Sequence, residues 1–290
     1  MYAGPIVDTH FHLFRRADIP QYKLMSAKVV QRDFTPADHR AAMGSAQIIA
    51  GVVLQAADVG TGMDELAYIE RLPPEPLIGR YISYLPIDRP DAAAIVEQLA
   101  DHAIVAGVRY SPSQADGDGS FDQRACRRTL RALARHGMVY ELSARPWQHD
   151  RVYELAAMAP ETTFVLGHMG KPRLTAEPQP DWNAGIARLA RLPNVVCKLS
   201  VPLVEPDDRP YPAETMGTLV RHIVEQFGYD RVLYGSNFPV NFIAVTCVQW
   251  LDMLEAFLGD AGEDDLDKLY RRNAVRTYRL PQPVMEVLPD

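Results

Sequence analysis

The sequence predicts a single α/β domain over residues 1–290, a closed (β/α)8 barrel carrying an extra C-terminal helix. Three observations support this. Eight short runs are dense in Val, Ile, Leu and Tyr, the mark of strands buried on both faces. Helical periodicity fills the gaps between them, and strict β/α alternation implies a parallel sheet. The length of 290 residues also suits eight such repeats in one barrel. An open doubly wound sheet is the alternative, but neither G-x-G-x-x-G nor G-x-x-x-x-G-K-[ST] follows any strand.

The first strand is expected at 6–12, where Asp8-Thr9-His10-Phe11-His12 places polar groups at every second position. A period of two puts Asp8, His10 and His12 on one face, near the strand's C-terminal end. Thr35-Pro36-Ala37-Asp38 reads as an N-cap with proline at the first helical position. Strands follow at 48–55 and 77–85, then a helix at 90–102. The fourth strand, at 104–110, precedes a helix at 121–136 that Gly137 ends as a C-cap. Next come strand 138–144 with helix 147–158, strand 162–168 with helix 182–192, and strand 194–200 with helix 215–227. The eighth strand, 231–237, is followed by a helix at 243–258 and a final extra helix at 263–278. Pro-rich pieces at 73–76, 177–180 and 205–212, and the turn-rich 116–120, fall between elements as loops.

A net charge of -7 with no basic tract argues against a nucleic-acid partner. The N-terminus lacks a signal-peptide pattern, and the near-apolar stretch 41–57 is too interrupted by polar residues and glycine to span a membrane. Three cysteines, odd in number and without C-x-x-C spacing, fit a reducing, cytoplasmic compartment. The composition leaves a homo-oligomer open.

Sites in such barrels lie at the C-terminal ends of the strands. Those ends carry His10 and His12, then Gln55, Tyr84, Arg109, Glu141 with Arg145, His168 with Lys171, Lys198, and Asn237. Three histidines and four cations converge there with one carboxylate. Arg109 and Arg145 offer planar forks to a carboxylate, and Lys171 and Lys198 add point charges. Positive charge at one mouth of an acidic protein attracts an anion. Lys198 interrupts the apolar run Val195-Val196-Cys197, so it is expected to point into the barrel, where it needs an anionic partner.

Six motifs carry a resemblance: Asp8-Thr9-His10-Phe11-His12, Gly107-Val108-Arg109, Ala144-Arg145-Pro146, the stretch from Phe164 to Pro172 containing Gly167-His168-Met169-Gly170-Lys171, Lys198-Leu199-Ser200, and Tyr234-Gly235-Ser236-Asn237-Phe238-Pro239-Val240. Taken in this order, the chain resembles the amidohydrolase superfamily. The nearest branch contains 2-pyrone-4,6-dicarboxylate lactonase and L-fuconolactonase-type sugar lactonases. The resemblance implies a TIM barrel and hydrolysis of a lactone or related ester of a small sugar acid or aromatic-degradation acid. Two departures stand out. Family hydrolases usually end the eighth strand in an aspartate, whereas this chain has Asn237, which cannot accept a proton at neutral pH. Metal-dependent relatives often place a histidine on the fifth strand, and Val139-Tyr140-Glu141-Leu142-Ser143 has none.

His10 and His12 supply two metal ligands where a catalytic zinc generally takes three. No metal is therefore expected. A divalent ion such as zinc, if bound, would sit on His10 and His12 and recruit Glu141 or His168. In the lactonase reading, Arg109 and Lys198 hold a substrate carboxylate. The three histidines polarise the carbonyl and stabilise its oxyanion. Water is activated by a histidine or Glu141, with Asn237 orienting it. Arg145, Lys171, Tyr84 and Gln55 complete the binding surface. A lactone isomerase and a weakened small-acid-binding barrel are the other readings, since fold does not fix function.

Overall fold

The computed structural model describes residues 2–19, 28–57, 63–73, 76–110, 123–175, 177–201 and 213–281. The expected loops at 116–120 and 205–212 lie outside the described residues, as do positions 74 and 75 of the 73–76 loop. Eight strands form one parallel sheet in chain order: β1 (Ile6–Phe11), β2 (Ile48–Leu54), β3 (Arg80–Tyr84), β4 (Val105–Arg109), β5 (Val139–Leu142), β6 (Phe164–Leu166), β7 (Val195–Ser200) and β8 (Val232–Gly235). All eight expected strands are present, each trimmed by one or more residues at one or both ends.

The helices follow the same order: α1 (Pro36–Met43), α2 (Met63–Glu70), α3 (Ala92–Ala100), α4 (Gln123–His136), α5 (His149–Met158), α6 (Pro180–Ala190), α7 (Ala213–Phe227) and α8 (Cys247–Phe257). Thr35 caps α1 as its sequence predicts, its hydroxyl accepting from Asp38 N at 3.3 Å while Asp38 accepts from Thr35 N at 2.9 Å. Gly137, at φ +63°, takes up the left-handed residue after α4. The sequence pattern did not single out α2. One expectation is corrected. The helix expected at 243–258 is a 3-10 turn (Val240–Ile243) followed by α8, because Thr246 caps a new helix start by accepting from Gln249 N at 3.1 Å.

Strand alternation sorts the core into two layers. Outward residues such as Phe11, Val53, Tyr81, Tyr140, Phe164 and Tyr234 pack under the helices. Inward residues, among them Val7, Val52, Ile82, Val139, Val165 and Leu233, fill the barrel. Ala274, Tyr278 and Leu280 join that inner cluster from the chain's final segment. The expected extra helix is α9 (Glu263–Asp267), a π turn (Lys268–Arg272) and α10 (Asn273–Tyr278). It seals the N-terminal end: Asn273 Nδ2 donates to Val232 O at 2.9 Å, and Arg80 Nε donates to Tyr278 O at 3.1 Å. No helix among the described residues is long and apolar enough to cross a membrane. All three cysteines are buried, and none forms a disulfide among the described residues.

β1 and β8 close the ring beyond the end of β8, through a Phe11–Phe238 bridge, His12 N to Phe238 O at 2.8 Å and Asn237 N to His10 O at 2.7 Å. Asp8 clasps this seam. Its Oδ1 accepts from Ser236 N at 2.9 Å and His10 N at 3.1 Å, and its Oδ2 meets His39 Nε2 of α1 at 2.8 Å. The expectation that Asp8 shares a face with His10 and His12 is therefore overturned. A register shift between Asp8 and Phe11 changes the parity of β1, sending Asp8 toward the helical layer and the histidines inward. Replacing Asp8 with alanine strands three buried donors, each worth ~1–3 kcal/mol when unsatisfied. Asp8→Ala should lose about 3 kcal/mol or more of stability in denaturant unfolding; a loss under about 1 kcal/mol would deny the clasp.

Candidate active site

The two histidines of β1 meet the third across the mouth. His10 lies 4.5 Å from His168 between ring centroids and 5.4 Å from His12, the latter edge-on. His12 Nδ1 faces Leu54 O at 2.9 Å, and His168 Nδ1 faces Val201 O at 3.0 Å. A carbonyl only accepts, so both Nδ1 atoms carry a proton. On a neutral imidazole that leaves Nε2 with the lone pair, an acceptor.

Burial lowers the His168 pKa well below the usual histidine value, and Lys171 and Arg109 push it further down. His10 is lowered for the same leading reason, with His168 and Lys198 next. Both imidazoles are neutral near pH 7. The chain after β6 is held in left-handed conformation at His168 (φ 52°), Met169 (φ 54°) and Lys171 (φ 49°), and Asn237 at the end of β8 is left-handed too (φ 62°). Among the described residues, four of the five non-glycine positions with positive φ lie here, so backbone strain collects at the mouth. The strain turns the His168 ring back over Val201. Asn237 Nδ2 donates to the same Val201 carbonyl at 3.1 Å, so its amide and His168 share one anchor.

Below the histidines sits a buried ion pair. Glu141 Oε1 accepts from Lys198 Nζ at 2.6 Å, and Glu141 Oε2 accepts from the Tyr278 hydroxyl at 3.0 Å. Lys198 also donates to Thr9 O and lies 5.3 Å from the centroid of the Tyr278 ring. Lys198 enters the barrel as its sequence context predicts. With no exposed surface, though, its ammonium is spent on Glu141 and Thr9 O rather than presented to a substrate. Burial lowers its pKa, partly offset by Glu141. Glu141 Oε1 is also 3.6 Å from His10 Nδ1, which has no hydrogen-bond partner among the described residues.

Arg109 is the cation that reaches the cleft. It lines a small cavity with His10, Tyr110, Glu141, Leu142 and Ser143. Its Nη1 donates to Gln55 O at 3.0 Å. Gln55 itself braces the neighbouring loops, accepting from Tyr84 N at 2.5 Å and donating to Ala57 O at 2.6 Å. The Tyr84 ring meets Tyr110 edge-on at 6.0 Å. Arg145 stands further out, stacked over Trp147 at 5.4 Å on the turn that leads into α5. The structure thus brings His10, His12, His168, Glu141, Lys198, Arg109 and Asn237 together, with Gln55, Tyr84 and Lys171 around them and Arg145 at the rim. Sequence reasoning missed Tyr278 and Ser200. Ser200 was legible by alternation from Lys198, and its Oγ lies 3.0 Å from His168 Nδ1. Tyr278 carried no local signal. Among the described residues no three His, Cys, Asp or Glu side chains are grouped to hold a metal.

Neutral buried histidines make stability pH-dependent. An unfolded histidine binds its proton at about pH 6.5, above the lowered folded values of His10 and His168. The unfolded state therefore takes up more protons as pH falls below about 6.5, and stability is lost before most carboxylates titrate. The melting temperature should drop between about pH 6.5 and 5, less steeply in His168→Gln; equal slopes would contradict a neutral buried His168.

Two L-fucono-1,5-lactonases are similar to this chain. The Burkholderia multivorans protein is 26% identical over 293 residues, covering 96% of this chain and 97% of its own length. The Burkholderia ambifaria protein is 23% identical over 285 residues, covering 96% of each. A solved Burkholderia multivorans amidohydrolase with bound zinc superposes with a TM-score of 0.83 at 26% identity, over 96% of this chain and 100% of that one. The amidohydrolase family profile matches residues 7–280, from the first strand to the floor of the barrel. The chain belongs to the amidohydrolase family.

Proposed function

We propose that the protein hydrolyses a lactone, or a related ester, of a small sugar acid or other carboxylic acid. One observation carries the reading: His168 is neutral, its Nδ1 is tied to Val201 O so that Nε2 keeps the lone pair, and the Arg109 guanidinium is near enough to press its pKa down. That is the arrangement of a general base beside an anion-stabilising cation. The similarity to the two L-fucono-1,5-lactonases supports the substrate class. In this scheme His168 takes a proton from water as the water attacks the lactone carbonyl. Arg109 stabilises the oxygen on which negative charge develops. His168 then returns the proton to the ring oxygen as the C–O bond breaks. The imidazolium formed in between is stabilised by the Glu141 carboxylate, which lies 3.6 Å from Nδ1 of the adjacent His10 ring. His12, Gln55, Tyr84, Lys171 and Arg145 line the approach, where the cations favour an acidic substrate. No step needs a metal. Three buried cysteines without a disulfide among the described residues are in keeping with a reducing, cytoplasmic setting.

The test is a panel of aldonolactones and pyrone carboxylates followed by pH drop, with products identified by NMR. Ring opening should persist in chelator, and His168→Gln should lower kcat by about 10²–10⁴-fold, the usual worth of general-base help. Loss of activity on metal removal, or an active His168→Gln, would sink the scheme.

Asn237 yields a second expectation. Aspartate there would restore the carboxylate common in the family, yet it could not donate to Val201 O as the amide does at 3.1 Å. Losing one hydrogen bond of ~1.4 kcal/mol on the carbonyl that orients His168 corresponds to about tenfold in rate. Asn237→Asp should therefore slow hydrolysis about tenfold; an accelerated variant would show that the position marks a lost base. A product that is a rearranged lactone rather than an open acid would point to the isomerase instead.

A further inference from the structure

Three side chains from outside its strands join the inner core of the barrel, Ala274, Tyr278 and Leu280, and one of them ends at the site. α10 closes the N-terminal end of the barrel, and from it Tyr278 extends upward into the inner core. Its hydroxyl donates to Glu141 Oε2 at 3.0 Å, while Lys198 holds Oε1 at 2.6 Å. The same ring lies under the Lys198 ammonium, 5.3 Å from its centroid. One side chain therefore touches both members of the buried pair. Space filling alone does not explain the hydroxyl. Tyr81, Tyr140 and Tyr270 are also buried, and their hydroxyls have no partner among the described residues. This barrel tolerates a buried phenol with nothing to bond, and at 278 the phenol is aimed at a carboxylate.

We propose that Tyr278 is a positioning residue for the reaction. By fixing Glu141 Oε2 it stops the carboxylate from turning about its last torsion and holds Oε1 between Lys198 and His10. A carboxylate gripped at one oxygen can swing its second oxygen with little penalty, because that torsion is broad. Gripped at both oxygens, it presents a fixed negative charge 3.6 Å from His10 Nδ1. A fixed charge is worth more to a transition state than one that must reorganise as the imidazolium forms. Burial holds the Tyr278 proton on its oxygen, keeping it a donor. This role rests on the lactonase reading above for its catalytic part, while the grip on Glu141 stands independently of it.

Tyr278→Phe is the test, since it removes the hydroxyl and keeps the ring beneath Lys198. On the lactone found by the panel, kcat should fall about tenfold with KM unchanged within about twofold. In a Glu141→Gln background the same change should have no further effect, because the interaction runs through that carboxylate. Incorporating p-aminophenylalanine at 278, which restores a donor, should recover most of the rate and also keeps the test open should the phenylalanine variant fold poorly. An unchanged kcat, a full additional loss in the Glu141→Gln background, or a failed rescue would overturn the role. Crystal structures of wild type and Tyr278→Phe decide the grip without any substrate: the Glu141 carboxylate should leave its wild-type position, and an unmoved carboxylate would refute the proposal. A wild type that opens no lactone would instead count against the functional reading and leave these crystals to decide the grip.

Discussion

The structure turns on one buried ion pair, Lys198 with Glu141. Taking two charges into a barrel interior costs several kcal/mol each, and mutual attraction repays this only when the remaining hydrogen-bonding capacity is filled. Here Thr9 O takes a second proton of the ammonium, and Tyr278 fills the second oxygen of the carboxylate. Three separate parts of the chain, β1, β7 and α10, must converge on β5 for the pair to exist. The apolar layer of Val7, Val139, Val165, Val196 and Leu233 surrounds it and keeps water from competing. The pair is therefore less a source of stability than a condition that ties the placement of the strands to one another.

The site above depends on that pair for its electrostatics. His10 rests over Glu141, and His168 rests over His10, so negative charge below faces imidazoles that burial keeps neutral. Arg109, at the end of β4, adds positive charge beside them. The strained turn at His168 and the left-handed Asn237 are the geometric counterpart of this. Both bend the chain so that Val201 O becomes a common acceptor for base and amide. Asn237 acts as a brace, which accounts for an amide where a carboxylate would find no donor.

Much of this was legible in the sequence. The eight strands and their order followed from apolar runs spaced by helical periodicity, and strand ends named the mouth residues. The inward direction of Lys198 followed from its place in an otherwise apolar run. Two kinds of information were not local. The irregular register after Asp8 depends on how β1 meets β2 and β8, so strict alternation put Asp8 on the wrong face. The partner of Lys198 depends on which side chains face it across the barrel, and an ammonium counted toward substrate proved to be satisfied within the protein. Tyr278 was invisible for the same reason. Helical periodicity marks α10 as helix and says nothing of which cavity its last residue enters.

The placement of Tyr278 also bears on the order in which the molecule becomes whole. All eight strands precede it in the chain, so a nascent polypeptide can present every mouth residue before it presents the hydroxyl that completes the interior. Until α10 docks, the carboxylate of Glu141 is short of a donor and the inner core is open at its lower end to solvent. A ring of strands assembled during synthesis would then be wet where the mature protein is dry. Competence arrives with the docking of α10, a late event at the end of the barrel opposite the one substrates enter.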